Sequence, residues 1–188
     1  MDWLVALWLP IVVAAVAVFM VSSVVHMVLP IHKGDHPPFP GGDAILEAMR
    51  QAGLRPGTYS FPGCNSMKEM GTPETIARYE KGPVGFATVM ANGAPAIGKN
   101  LLQWFLLSIG IGALTAFASF SALPAGAPRG AVLRIAGSVA IAGYALGALQ
   151  DSIWKGVPWR ISAKFALDGL VYGLTTAATF AWLWPAAA

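Results

Sequence analysis

The chain has 188 residues, of which 56% are apolar and 11% charged. Soluble domains carry about 25% charged residues, so this composition excludes an ordinary water-soluble domain, and the apolar residues gather in long blocks. The net charge of +3 comes from scattered basic residues offset by acids in the same segments, which argues against nucleic acid and makes anionic membrane lipid the expected counterpart.

Four apolar blocks run roughly from Trp3 to Val28, Leu101 to Leu123, Ala131 to Leu149 and Phe165 to Trp184. Each approaches the about 20 residues that cross a bilayer as a helix. The expected fold is an all-α membrane protein, four transmembrane helices in a bundle, with a small α+β extramembrane cap between helices 1 and 2. Residues 1–29 form the first helix, 30–100 the cap, and 101–188 helices 2 to 4 with short loops.

The first helix begins at the amino terminus, with Trp3 and Trp8 placed for an interfacial belt and Pro10 early enough to kink or delay it. A signal peptide is the rival reading. It is disfavoured because Asp2 stands where a positive charge is expected and the apolar run is about twice a usual signal core. Ser22, Ser23 and His26 close the span.

The tract LPIHKGDHPPFPGG, with four prolines and three glycines, is expected to be an extended strap. Asp43 is a plausible N-cap for AILEAMRQA, an amphipathic helix stopped by Gly53. Thr58 to Phe61 alternates as a strand does, Thr72-Pro73-Glu74 starts a helix ending at Lys81-Gly82, and Val84 to Met90 is a second strand candidate.

Small residues at four-residue spacing mark packing faces on the later helices: Ser108, Gly112 and Ala116 on the second, Gly143 and Gly147 on the third, and Gly169, Gly173, Ala177 and Ala181 on the fourth. The tract DSIWKGVPWRISAK is expected to be an interfacial loop between helices 3 and 4, anchored by Trp154, Lys155, Trp159 and Arg160. Ser162 is a candidate cap for helix 4. Asp168, Tyr172, Thr175 and Thr179 form a polar face expected to point inward, with Lys164 four residues before Asp168 in pairing reach.

If the segment after the first helix and the loop after the third share a side, their flanks carry Lys33, Lys99, Lys155, Arg160 and Lys164 against Arg129 and Arg134 opposite. That bias places the cap in the cytoplasm and both termini outside.

The tracts GPVGFATVMANG, KNLLQWF, DSIWKGVPW and KFALDGLVYGLTTAATFAWLWP carry a resemblance over roughly residues 54 to 185. On these the chain resembles a group of small bacterial inner-membrane proteins described as hypothetical. The resemblance implies a bacterial four-helix membrane protein. It brings no activity and transfers no functional residues.

The sharpest chemical constellation is His26, His32 and His36 after the first helix, with Cys64, Met67 and Met70 in CNSMKEM. Imidazole, thiolate and thioether are ligands that copper accepts. Histidines near a membrane also bond headgroups or backbone, Met in a short helix is usually packing, and no CxxC or HExxH is present. A lone cysteine leaves no internal disulfide. Glycine-rich phosphate loops are absent, and Asp168, the sole acid in the main spans, lies near one end, which disfavours a carrier acting alone.

The function read from these features is association, as an accessory or assembly subunit of an inner-membrane complex or as a homo-oligomer, with lipid and other membrane subunits or copies of itself as partners. An enzyme is less favoured. The alternative is a metal-binding protein, copper first, or a membrane-embedded enzyme using the His and Cys/Met groups or Asp168 with Tyr172.

Overall fold

The computed structural model describes residues 2–187. It is mostly helical, with a small two-stranded sheet, and three of its helical stretches are long and apolar enough to cross a membrane: Asp2–Val28, Ile97–Ala122 and Arg129–Lys155. The chain divides into two compact units, Met1–Asp35 with Ala96–Ala188, and His36–Pro95. The strap expected from Leu29 onward is thus split, its first residues belonging with the long helices.

In the helical unit, α1 (Asp2–Ser23) begins at Asp2, so Pro10 does not delay its start but lies buried inside the helix. Its last turn widens into a π-turn over Val24–Val28. α5 (Ile97–Ala122) packs on α1 and on α6 (Arg129–Ala145); α8 (Trp159–Trp182) packs on α6 most extensively, and also on α1 and α7 (Gly147–Lys155). The tract expected to be a loop is largely helical: α7 reaches Lys155, and only residues 156–158 separate it from α8. Trp154 and Trp159 lie on either side of that turn, both exposed, with Lys155 paired to Asp151 at 2.7 Å. Arg160 is exposed in the first turn of α8. Ser162 lies inside α8 rather than capping it, and its hydroxyl meets that of Ser152 on α7 at 2.6 Å.

The core shows why small residues recur. Leu7, Ile11 and Ala14 of α1, Ala116 of α5, Val132 and Ala136 of α6, and Phe180 and Ala181 of α8 form one buried cluster. Lipid is as apolar as leucine, so helices in a bilayer gain little from burying large side chains and associate by close backbone approach. A Cβ added to Gly169 would lie 2.5 Å from the Cα of Ala145, and one added to Gly173 2.7 Å from the backbone nitrogen of Ile141. Gly143 faces Ile111 and Gly112 faces Ile11, whereas nothing lies within 4 Å of the corresponding position at Gly147. The faces expected on Gly112, Gly143, Gly169 and Gly173 therefore pack helices of one chain together.

In the unit His36–Pro95, α2 (Gly42–Gln51) is preceded by Gly41 in the left-handed conformation, with no side-chain cap; Asp43 sits in the first turn instead. β1 (Gly57–Phe61) pairs antiparallel with β2 (Gly85–Val89), from Gly57 opposite Val89 to Phe61 opposite Gly85. Between them lie α3 (Met67–Met70), capped by Ser66, and α4 (Pro73–Lys81), capped by Thr72 through a bond from the Thr75 backbone. Thr75 is the one buried residue described in this unit.

A candidate histidine–carboxylate centre

The end of α1 and the first half of α8 build a polar centre from residues far apart in sequence. The π-turn closes with the Leu29 backbone donating to the Val24 carbonyl. Pro30 then starts a 3-10 turn ending at His32, where its fixed φ costs nothing and its missing N–H is not needed. Gly34 adopts φ +84, a conformation that disfavours other residues, and this turns the chain back so that the Asp35 backbone donates to the His32 carbonyl.

That turn sets the Asp35 carboxylate beside its own histidine: His32 Nδ1 is 3.0 Å from Asp35 Oδ2. The other ring nitrogen, Nε2, lies 2.8 Å from Oδ2 of Asp168 on α8. His26 Nε2 stands 3.8 Å from the same Asp168 oxygen. The two imidazoles stack at 4.5 Å, and Phe165 closes over them, 4.9 Å from the His32 ring and 6.1 Å from that of His26. Asp35 and Asp168 are buried, His32 nearly so, while His26 is open on one side.

Lys164 completes the centre. The spacing to Asp168 suggested an ion pair within α8, but Lys164 reaches across to the α1 side, donating to Asp35 Oδ1 at 2.6 Å and to the Ile31 carbonyl at 2.8 Å. A buried carboxylate is costly unless it is paired and hydrogen-bonded, and Asp35 has both. The Lys164 ammonium holds the Asp35 carboxyl below the usual carboxylate range, with the His32 bond acting in the same direction against the effect of burial. Lys164 and Asp168 thus share a face of α8 and serve different partners.

Toward the middle of the bundle, Ser22 accepts from the Trp104 indole at 2.9 Å, and Trp104, Tyr144 and Tyr172 form a triangle of rings with centroids 5.7 to 6.0 Å apart. The Tyr172 hydroxyl has no hydrogen-bond partner among the described residues. Of the polar face expected on α8, Asp168, Tyr172 and Thr179 are buried, but the third inward residue is Thr176, which bonds the Tyr172 carbonyl, rather than the more exposed Thr175.

Of the metal-ligand candidates read from sequence, His26 and His32 come together. His36, Cys64, Met67 and Met70 belong to the other unit. Cys64 Sγ faces the Ser66 carbonyl at 3.4 Å, Met67 is exposed, and Met70 is partly so. The group that joins the two histidines is Asp168, and among the described residues this trio has ligand atoms within 4.8 Å of one another. Asp35 was not singled out from the sequence; the spacing His32-Lys33-Gly34-Asp35, with glycine at the turn, was the available signal. No family model, curated protein or solved structure matches the chain.

Proposed function

We propose that this chain is a four-span integral protein of a bacterial inner membrane that acts by association, as an accessory or assembly subunit of a membrane complex or as a homo-oligomer. The fourth span is α8, whose 24 residues reach about 36 Å at 1.5 Å each. Its Leu167, Leu174 and Trp182 are exposed as lipid-facing residues are, while Asp168, Thr176 and Thr179 are buried. Lys164 meets Ile31 and Asp35, so the end of α1 and the start of α8 lie at one end of the bundle. This supports counting Lys33, Lys155, Arg160 and Lys164 on one side, the cytoplasmic one, with both termini periplasmic.

The observation that carries the association reading is the unit His36–Pro95. It forms regular elements yet buries only Thr75, and leaves Phe39, Met67, Val84, Phe86 and Met90 exposed. About 60 residues without a core cannot be stable through their own burial, and exposed apolar side chains of this number mark a surface covered from outside the unit, a role the association reading gives to another subunit or copy. The small-residue faces at Gly112, Gly143, Gly169 and Gly173, engaged within the chain, do not supply that contact.

Native mass spectrometry of the untagged protein, released gently from its own membrane, tests this reading. The expected result is a defined complex with another membrane protein or a fixed number of copies, lost when Phe86 and Met90 are replaced by Asp. A single chain carrying only lipid would sink it. A second reading, a metal-dependent function, is favoured by the meeting of His26, His32 and Asp168.

A further inference from the structure

We infer that His26, His32 and Asp168 form a binding site for one borderline divalent metal ion, zinc first, with Asp35 and Lys164 as its supporting shell. The inference is independent of the association reading, since every group lies within the helical unit. Two imidazoles and one carboxylate are a donor set suited to zinc, which takes three protein ligands and leaves a fourth position for water or substrate. With bonds of about 2.0 Å in a tetrahedral arrangement, neighbouring ligand atoms stand about 3.3 Å apart. The observed separations from Asp168 Oδ2, 2.8 Å to His32 Nε2 and 3.8 Å to His26 Nε2, bracket that value, and all three ligand atoms lie within 4.8 Å of one another, so the side chains rotate to converge on one ion.

The surroundings distinguish this trio from a chance meeting of polar groups. A metal-bound histidine usually donates its remaining N–H to a carboxylate, which fixes the ring and its tautomer. His32 has that arrangement already: Nδ1 faces Asp35 at 3.0 Å, leaving Nε2 to face Asp168. Asp35 is in turn fixed by Lys164 at 2.6 Å, so the second shell is bonded before any ion arrives. Phe165 packs against both imidazole rings and limits their freedom. The exposed side of His26 provides the entry path.

The test uses the full chain in detergent, without a polyhistidine tag, titrated with Zn²⁺ and with Co²⁺ as a spectroscopic substitute. One ion per chain is expected, with the intense visible bands of tetrahedral Co²⁺. His26→Gln and Asp168→Asn should each weaken binding at least about 100-fold, and Asp35→Asn about tenfold through the second shell. His26→Gln leaves the His32–Asp35, His32–Asp168 and Lys164–Asp35 bonds in place, so it separates metal ligation from folding. The combined variant Cys64→Ser, Met67→Leu, Met70→Leu should bind as the parent does. The inference is overturned if neither ion binds saturably at one per chain, if His26→Gln binds with parental affinity, or if the Cys/Met variant is the one that loses the ion.

Discussion

His32 Nε2 and Asp168 Oδ2 lie 2.8 Å apart although 136 residues separate them, and this bond locks the end of α1 to α8. Hydrogen bonds to charged groups are worth more than neutral ones, and a partner left behind in a buried place bears the full cost of its lost solvation. Measured in the presence of a chelator, Asp168→Asn should lower stability by about 2 kcal/mol. Combined with His32→Gln the loss should be clearly less than the sum, because both changes remove the same contact. Additive losses in a double-mutant cycle would show that the two side chains do not interact.

The helix glycines make a graded prediction. Gly173→Ala puts a Cβ 2.5 Å from Ile141 Cγ1 and 2.7 Å from that residue's backbone nitrogen, so α6 and α8 must separate. Overpacking of this kind costs about 3 kcal/mol. Gly110 lies in the interior of α5 with nothing within 4 Å of a new Cβ, so Gly110→Ala should instead stabilise by up to about 1 kcal/mol through helix propensity. Thermal unfolding of both variants in one detergent checks the contrast, and a melting temperature for Gly173→Ala at or above the parent's would contradict the α6–α8 packing.

Neighbouring serines on α1 should also differ. Ser22 and Ser23 both donate to the Phe19 carbonyl, but Ser22 is buried and accepts from the Trp104 indole at 2.9 Å. Ser22→Ala leaves that indole N–H without its acceptor, at a cost of about 1–2 kcal/mol. Ser23→Ala removes only a bond to a carbonyl already engaged by the helix, and its effect should stay within about 0.5 kcal/mol. Equal losses for the two variants would place Trp104 elsewhere.

Cys64, the single cysteine, reports the side on which the unit His36–Pro95 lies. It is partly accessible, so a membrane-impermeant maleimide should label it in inverted inner-membrane vesicles and leave it unlabelled in intact spheroplasts. A carboxy-terminal alkaline phosphatase fusion should be active if the proposed four spans return the chain to the side where it began. The opposite labelling pattern would reverse the orientation, and termini on opposite sides would remove α8 as a span.

The location of most elements was legible in the residues. Long apolar blocks mark α1, α5, α6 and α8 because backbone groups away from water must bond within a helix. Thr72 with Pro73 marks the start of α4, and alternation marks β1, because caps and pleats depend on nearest neighbours. Local spacing failed where tertiary contact outweighed it. Pro10 suggested a kink or a late start, but α1 already begins at Asp2; DSIWKGVPWRISAK suggested a loop, but interrupted apolar character does not by itself end a helix.

The sequence by itself determined that the chain is built from membrane-length helices with small residues on set faces, since period and composition are properties of each segment alone. Tertiary structure decided what those faces meet: Gly143 packs on Ile111 while Gly147, on the same expected stripe, meets nothing. It also decided the centre. Lys164 stands within reach of Asp168 along one helix, yet bonds Asp35 across 129 residues, and Asp168 is left to His32. Helical spacing limits which charges can pair, but the choice among them falls to whichever buried carboxylate the packing of α1 against α8 leaves in need of a donor.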